Sequence, residues 1–140
     1  MLKSFRELEV WQKAHALTLE VYRATSRFPR TEQFGIVSQM RRAAMSVPAN
    51  IAEGFGRHTT KDFLHFLTIA NGSLEETRYF LILSNGLQYL PEDDFKQLER
   101  KFDSVGQMLG ALSRSLRNRA AGFSRVAGRG ARVAAAPLGS

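Results

Sequence analysis

The chain has no cysteine in its 140 residues. Disulfides, thiolate metal sites and cysteine nucleophiles are therefore excluded, and the composition suits a reducing compartment. Apolar runs are also short: Phe80 to Leu83 gives way at once to Ser84 and Asn85, so nothing reaches membrane-spanning length. The N-terminus, MLKSFRELEVWQKAH, is charged along its length and has no signal-peptide core. The expected location is cytoplasmic. A third scarcity is local: from Arg114 to the end there are six arginines and no acid. Residues 1–113 hold the other 14 Lys and Arg against all 13 Asp and Glu. The formal charge of +7 is mostly a property of the tail, which weakens any view of the body as a nucleic-acid-binding surface.

What the sequence does have is helical periodicity. Val10, Ala14, Leu17, Val21, Ala24 and Phe28 step by four and three, one face of a helix from about Phe5 to Arg27. Trp11, Thr18, Tyr22 and Thr25 form a mixed stripe beside it, and Pro29 closes the element. Thr31 is the expected N-cap of a second helix. Its stripe runs Ile36, Met40, Ala43, Val47, Ile51 and Phe55, with Pro48 inside it predicting a kink in a continuous helix. Gly54 and Gly56 are expected to supply left-handed conformations for the stop.

A third helix, capped by Thr59 or Thr60 with Asp62 in its first turn, carries Phe63, Leu67, Ala70, Leu74, Thr77, Leu81 and Ser84 in phase. Phe66, Ile69, Phe80, Leu83 and Leu87 give it a second apolar face. Gly72 in its interior predicts a close helix crossing, and Asn85 and Gly86 end it. Pro91 at a first-turn position, then Glu92, Asp93 and Asp94, opens a fourth helix along Phe95, Leu98, Phe102, Val105, Leu109, Leu112 and Leu116.

No strand pattern competes. The expected fold is all-α, an antiparallel up-down-up-down four-helix bundle over residues 1–118. Residues 119–140, rich in Arg, Gly and Ala, read as a flexible tail, with Ala120 to Val126 able to prolong the last helix.

The segments LEVWQKAHAL, FPRTEQFGIVSQMRRAAMSVPANIAEGFGR and FLHFLTIANGSLEETRYFL carry a resemblance that covers residues 5 to about 83, more loosely to about 113. Within them QMRRAA…VPANIAEGFGR is the most specific block. The chain resembles the bacterial four-helix bundle proteins first noticed as open reading frames inside intervening sequences of 23S ribosomal RNA genes. The resemblance implies a homo-oligomer, commonly a ring of five, and no known catalytic activity. A related branch consists of accessory proteins of diversity-generating retroelements, basic pentamers that bind a reverse transcriptase and nucleic acid.

Candidate sites follow from the predicted topology. One bundle end would collect Lys3, Arg6, Arg57, His58, Lys61, Arg114, Arg117 and Arg119, a basic pole able to meet a polyanion; the plainer reading is a solvated end with a solubilising tail. At the other end Arg27 and Arg30 would lie near Glu92, Asp93 and Asp94. The second face of the third helix (Phe66, Ile69, Phe80, Leu83), with Trp11 and Tyr22 of the first, is the expected contact between copies, since its exposure would leave a large apolar patch. Of the polar set Asn50, Glu53, Arg57, Asn71, Ser73 and Glu76, Glu53 is expected to be held by Arg57 or by the third helix.

No metal centre is expected. A lone Asp62-x-x-His65 pair lies off the apolar stripe, whereas bundled di-iron sites need two inward Glu-x-x-His pairs. There is no nucleophile elbow, and the GFGR turn lacks the strand and Lys-Ser/Thr of a phosphate-binding loop. The sequence therefore points to a non-enzymatic scaffold or adaptor that partners itself, with no cofactor, membrane or small-molecule substrate. The alternative is a nucleic-acid-binding accessory protein, meeting RNA, DNA or a reverse transcriptase through the basic pole and tail.

Overall fold

The structure, a computed structural model, describes the backbone of residues 1–129 and side chains as far as 122. Four helices form a helical bundle: α1 (Glu9–Thr25), α2 (Ile36–Phe55), α3 (Thr60–Gly86) and α4 (Glu92–Arg129). No strand occurs among the described residues. Two short 3-10 turns, Phe5–Glu7 and Arg30–Glu32, precede α1 and α2.

The periodic stripes are the core. Val21, Ala43, Ile51, Ala70, Leu81 and Phe102 are fully enclosed, and the other stripe positions crowd around them. Thr77 and Ser84, polar members of the α3 stripe, are buried too. Each returns its hydroxyl to its own helix, Thr77 to the Ser73 carbonyl and Ser84 to that of Phe80, both at 2.7 Å. A buried hydroxyl without such a partner would cost about 1–3 kcal/mol.

The helix ends depart from the sequence reading in instructive ways. Phe5 to Glu7 make a 3-10 turn capped by Ser4 rather than the first turn of α1. Thr31 does not cap α2: it lies within the second 3-10 turn, and Gly35 stands at the N-cap. A cap hydroxyl is useful only where the chain enters the helix, and here the chain makes another turn first. Thr59 does cap α3, its hydroxyl accepting from the Asp62 N–H at 3.0 Å. Pro91 sits one residue before α4, and its carbonyl accepts the first helical bond, from Phe95 at 2.9 Å. α4 itself continues to Arg129, past the point where its apolar pattern fades. Residues 130–140 of the expected tail lie outside the described residues.

α3 ends at Gly86, as expected, but the glycine is not the residue that turns the chain. The reversal falls at Gln88, the one positive-φ residue among the described non-glycines, at 64°. The Tyr89 N–H bonds back to Ser84 and the Gln88 N–H to Asn85, the pair of bonds that closes a Schellman ending. Tyr89 is then tied across to the loop before α2, where its hydroxyl donates to Glu32 at 2.8 Å and its ring meets Phe28. That bond to the carboxylate, with burial adding to it, raises the Tyr89 pKa above its ordinary value. The tie is thus whole below the unfolded value of about 10 and is lost as pH climbs through the raised folded value.

The glycines also have other roles than expected. Gly56 has a right-handed φ of −81°, and neither it nor Gly54 is left-handed. Gly54 is instead a place of close approach: a Cβ there would lie 2.8 Å from Phe66 Cβ and 2.9 Å from Phe63 Cδ1. Gly72 reverses its expected role. A Cβ there would meet nothing within 4 Å, so within this chain no crossing offsets its cost of about 1 kcal/mol against alanine.

α2 passes unbroken through Pro48. The proline cannot donate to the Ala44 carbonyl four residues back. Thr18 of α1 supplies a partner: its hydroxyl lies 2.8 Å from the Ala14 carbonyl and 3.2 Å from that of Ala44. One proton placed between two carbonyls lets a buried proline sit inside a buried helix.

Candidate functional site

Two surfaces carry the residues singled out from the sequence. The first is an apolar groove of about 550 Å³ between α1 and α2. α1 contributes Trp11, His15 and Tyr22, and α2 contributes Met45, Pro48 and Ala52. These positions follow from helical spacing: 11, 15 and 22 step by four and seven on α1, and 45, 48 and 52 by three and four on α2, so each set shares one side of its helix. Trp11 is braced by Phe5 edge-on at 5.0 Å and by His15 stacked at 5.1 Å. The Tyr22 hydroxyl reaches Met45 Sδ at 3.2 Å, and the Arg41 guanidinium lies 4.5 Å from the Tyr22 ring centre. Arg41 also donates to the Thr25 hydroxyl at 2.8 Å and the Tyr22 carbonyl at 3.1 Å. It thereby serves the last carbonyls of α1, where positive charge is favoured. Among the described residues it forms no ion pair.

Of the expected contact residues, Trp11 and Tyr22 line this groove while Phe66, Phe80 and Leu83 are half-buried in their own chain. Phe66 lies beneath Arg57, which is 4.7 Å from its ring centre. Ile69 is exposed, at 39%. The sequence reading missed other exposed apolar side chains: Leu19 (42%) and Met45 (45%) at the groove, and Tyr79 (57%) and Ile82 (48%) on α3. Tyr79 and Ile82 stand on the side of α3 opposite its buried stripe, a signal present in the periodicity but overlooked.

The second set is the residues expected to form a basic pole. Lys3, Arg6, Lys61, Arg114, Arg117 and Arg119 are all exposed. Lys3 and Arg6 precede α1, Lys61 is in the first turn of α3, and the three arginines stand on α4. Arg57 is already engaged, its Nη2 2.8 Å from Glu53 while it rests on Phe66. Glu53 is held by Arg57, although Arg57 lies beyond the helix end. At the other end Arg27 and Asp94 approach to 3.8 Å.

The remaining polar set lies along α2 and α3. Asn50 donates to the Ser46 carbonyl and hydroxyl, Ser73 bonds the Ser46 hydroxyl at 2.8 Å, and Arg42 reaches Glu76 at 2.7 Å. On the far side of α3, partial burial pulls the Arg78 pKa down, but hydrogen bonds and charge from Asp103 and Glu75 outweigh it and leave it raised. These groups are mutually satisfied. Among the described residues no three His, Asp or Glu are grouped to hold a metal, and no helix is long and apolar enough to cross a membrane.

Residues 6–111 match the family described as 23S rRNA-intervening sequence protein. The chain belongs to that family. The match covers α1 to α3 and α4 as far as Ala111, so it contains the groove but stops short of Arg114, Arg117 and Arg119. No curated protein matches the chain. Among solved structures, it is similar to a protein of unknown function of the S23 ribosomal protein family from Bacteroides thetaiotaomicron, solved at 1.70 Å. The identity is 21%, over 75% of this chain and 95% of that one, with a TM-score of 0.69. At that identity the likeness concerns the fold.

Proposed function

We propose that this family member is a non-enzymatic scaffold or adaptor that works as an assembly of its own copies. The observation that supports it is the open groove at Trp11, Tyr22 and Met45, together with the exposed Ile69, Tyr79 and Ile82 on another helix. Soluble monomers rarely leave such apolar surface uncovered. Side-chain pairing favours an antiparallel up-down arrangement beneath it: Met40 with Ser84, Arg42 with Glu76 and Ser46 with Ser73 step in opposite directions along α2 and α3. On the family resemblance the assembly is a ring of five in the cytoplasm. Light scattering at micromolar concentration tests it; a monomeric mass across the accessible range overturns the reading.

A second reading, nucleic-acid binding, rests on α4. From Arg114 to Arg129 this helix has five arginines and no acid. The α3–α4 contacts, Arg78 with Asp103 and Leu74 with Gly106, carried on at the same step, would bring the turn from Arg114 to Arg117 level with Lys61. Replacing Arg114, Arg117 and Arg119 by Gln would then abolish RNA or DNA binding and its steep salt dependence. Binding unchanged by these substitutions, or absent in dilute buffer before them, removes this reading and leaves the scaffold.

A further inference from the structure

We propose that Met45 is an oxidation site, and that its sulfoxide turns one wall of the α1–α2 groove from apolar to polar while the bundle stays folded. Oxidation converts a flexible apolar thioether into a polar, chiral sulfoxide. Access decides which methionine reacts, and the chain offers a graded set. Met40 is 1% exposed, with its Sδ 4.0 Å from the Ser84 hydroxyl in the core. Met108 is half-buried against that core. Met45 stands on the same helix as Met40, yet is 45% exposed. None of this depends on assembly of copies, because the exposure is that of a single chain.

The partner of the Met45 sulfur suits the oxidised state better than the reduced one. The Tyr22 hydroxyl donates to Sδ at 3.2 Å, although a thioether is a weak acceptor. Arg41 braces this tyrosine, its guanidinium 4.5 Å from the ring centre and donating to the Tyr22 carbonyl at 3.1 Å. A sulfoxide oxygen carries partial negative charge and accepts strongly. In an apolar wall such an oxygen would be costly without a donor, and here a donor is already in place. The change in polarity falls among Trp11, Leu19, Pro48 and Ala52, which line the same groove. The same oxygen added to Met40 would enter the closed core and disrupt it.

The oxidant is a hydroperoxide, ROOH. The sulfur lone pair attacks the terminal oxygen, and the S–O bond forms as the O–O bond breaks. The proton of the transferred oxygen passes to the departing oxygen, which leaves as ROH. Sulfur gives up two electrons and the peroxide takes them; with hydrogen peroxide the by-product is water.

The site is tested by treating the dilute full-length chain with hydrogen peroxide and following each methionine by peptide mass spectrometry. Met45 should oxidise at least about tenfold faster than Met40, with the fully exposed Met1 as the upper reference. Thermal melts then read the consequence. The oxidised protein should remain folded, and peroxide should leave the melting temperature of Met45→Leu unchanged. Tyr22→Phe should lower the melting temperature by about 3 °C more in the oxidised protein than in the reduced one, the worth of one hydrogen bond to the new oxygen. Met45 reacting no faster than Met40 overturns the inference. Unfolding on oxidation of Met45 also overturns it, since the reaction would then be damage to the bundle. An equal Tyr22→Phe penalty in the two states removes the hydroxyl as receiver of the oxygen, and a Met45→Leu chain with the wild-type peroxide response places the effect at another residue; either result overturns it as well.

Discussion

The seam between α2 and α3 and the seam between α1 and α4 are built on different principles. Along α2–α3 small residues bring the helices close: Ala43 and Ala70 are fully enclosed, and Gly54 leaves no room for a methyl group beside Phe63 and Phe66. Ser73 of α3 completes the contact with a 2.8 Å bond to the Ser46 hydroxyl, which Asn50 of α2 also holds at 2.8 Å. Along α1–α4 long charged side chains span a gap, Lys101 to Glu20 at 2.7 Å and Arg27 to Asp94 at 3.8 Å. Clefts of about 420 and 260 Å³ open beside them. Interiors resist both added and removed volume, whereas an open cleft tolerates either. The two seams should therefore respond unequally to the same change.

The largest effect is expected from adding bulk. Gly54→Val should destabilise the protein by about 2–3 kcal/mol, within the usual range for overpacking, and lower the melting temperature by roughly 6–12 °C. Ala16→Val, the matching enlargement in the α1–α4 cleft, should change it by about 0.5 kcal/mol or less. Equal losses in the two variants, read by thermal or urea melts, would end the distinction between a tight and an open seam.

A smaller effect tests the α1–α2 contact, intermediate between those two. Thr18→Val removes the hydroxyl that serves the Ala44 carbonyl and should cost about 1–2 kcal/mol, the penalty of an orphaned buried acceptor. In a Pro48→Ala background the helix supplies its own N–H to Ala44, so the same substitution should cost less by about 1 kcal/mol. A double-mutant cycle measures that coupling; strictly additive effects would mean that the Thr18 hydroxyl serves only Ala14.

How much of this was legible depended on whether a residue's role was local. The core stripes of all four helices came from spacing alone, because burial on a helix follows its period. Glycine roles did not, because a glycine allows several uses and the deciding atom belongs to another helix. Gly54 read as a left-handed stop and is a packing site; Gly72 read as a crossing and faces open space. Thr31 failed as a cap because a 3-10 turn and Gly35 intervene, and turns of three residues leave almost no periodic trace. The groove was half legible: Trp11 and Tyr22 showed as a second stripe on α1. Its other wall at Met45 and Ala52 emerges only when α1 lies beside α2. The basic residues were readable as composition, but the capture of Arg57 by Glu53 and Phe66 was not.

The smallest expected effect concerns the ion pair across the open seam. Lys101 and Glu20 are 2.7 Å apart, yet their side chains remain 49% and 31% exposed. Water around the pair weakens the attraction, and ordering the long lysine opposes it. Lys101→Met should accordingly alter stability by only about 0.5 kcal/mol, and less at high salt, where the attraction is screened. A loss of 2 kcal/mol or more would mean that this charge pair, and not the helical core beneath it, holds α1 against α4. The two seams would then be equally strong by different means. With the expected small change, α1 is held by its buried stripe, Leu17 and Val21 included, and by the Thr18–Ala44 bond to α2.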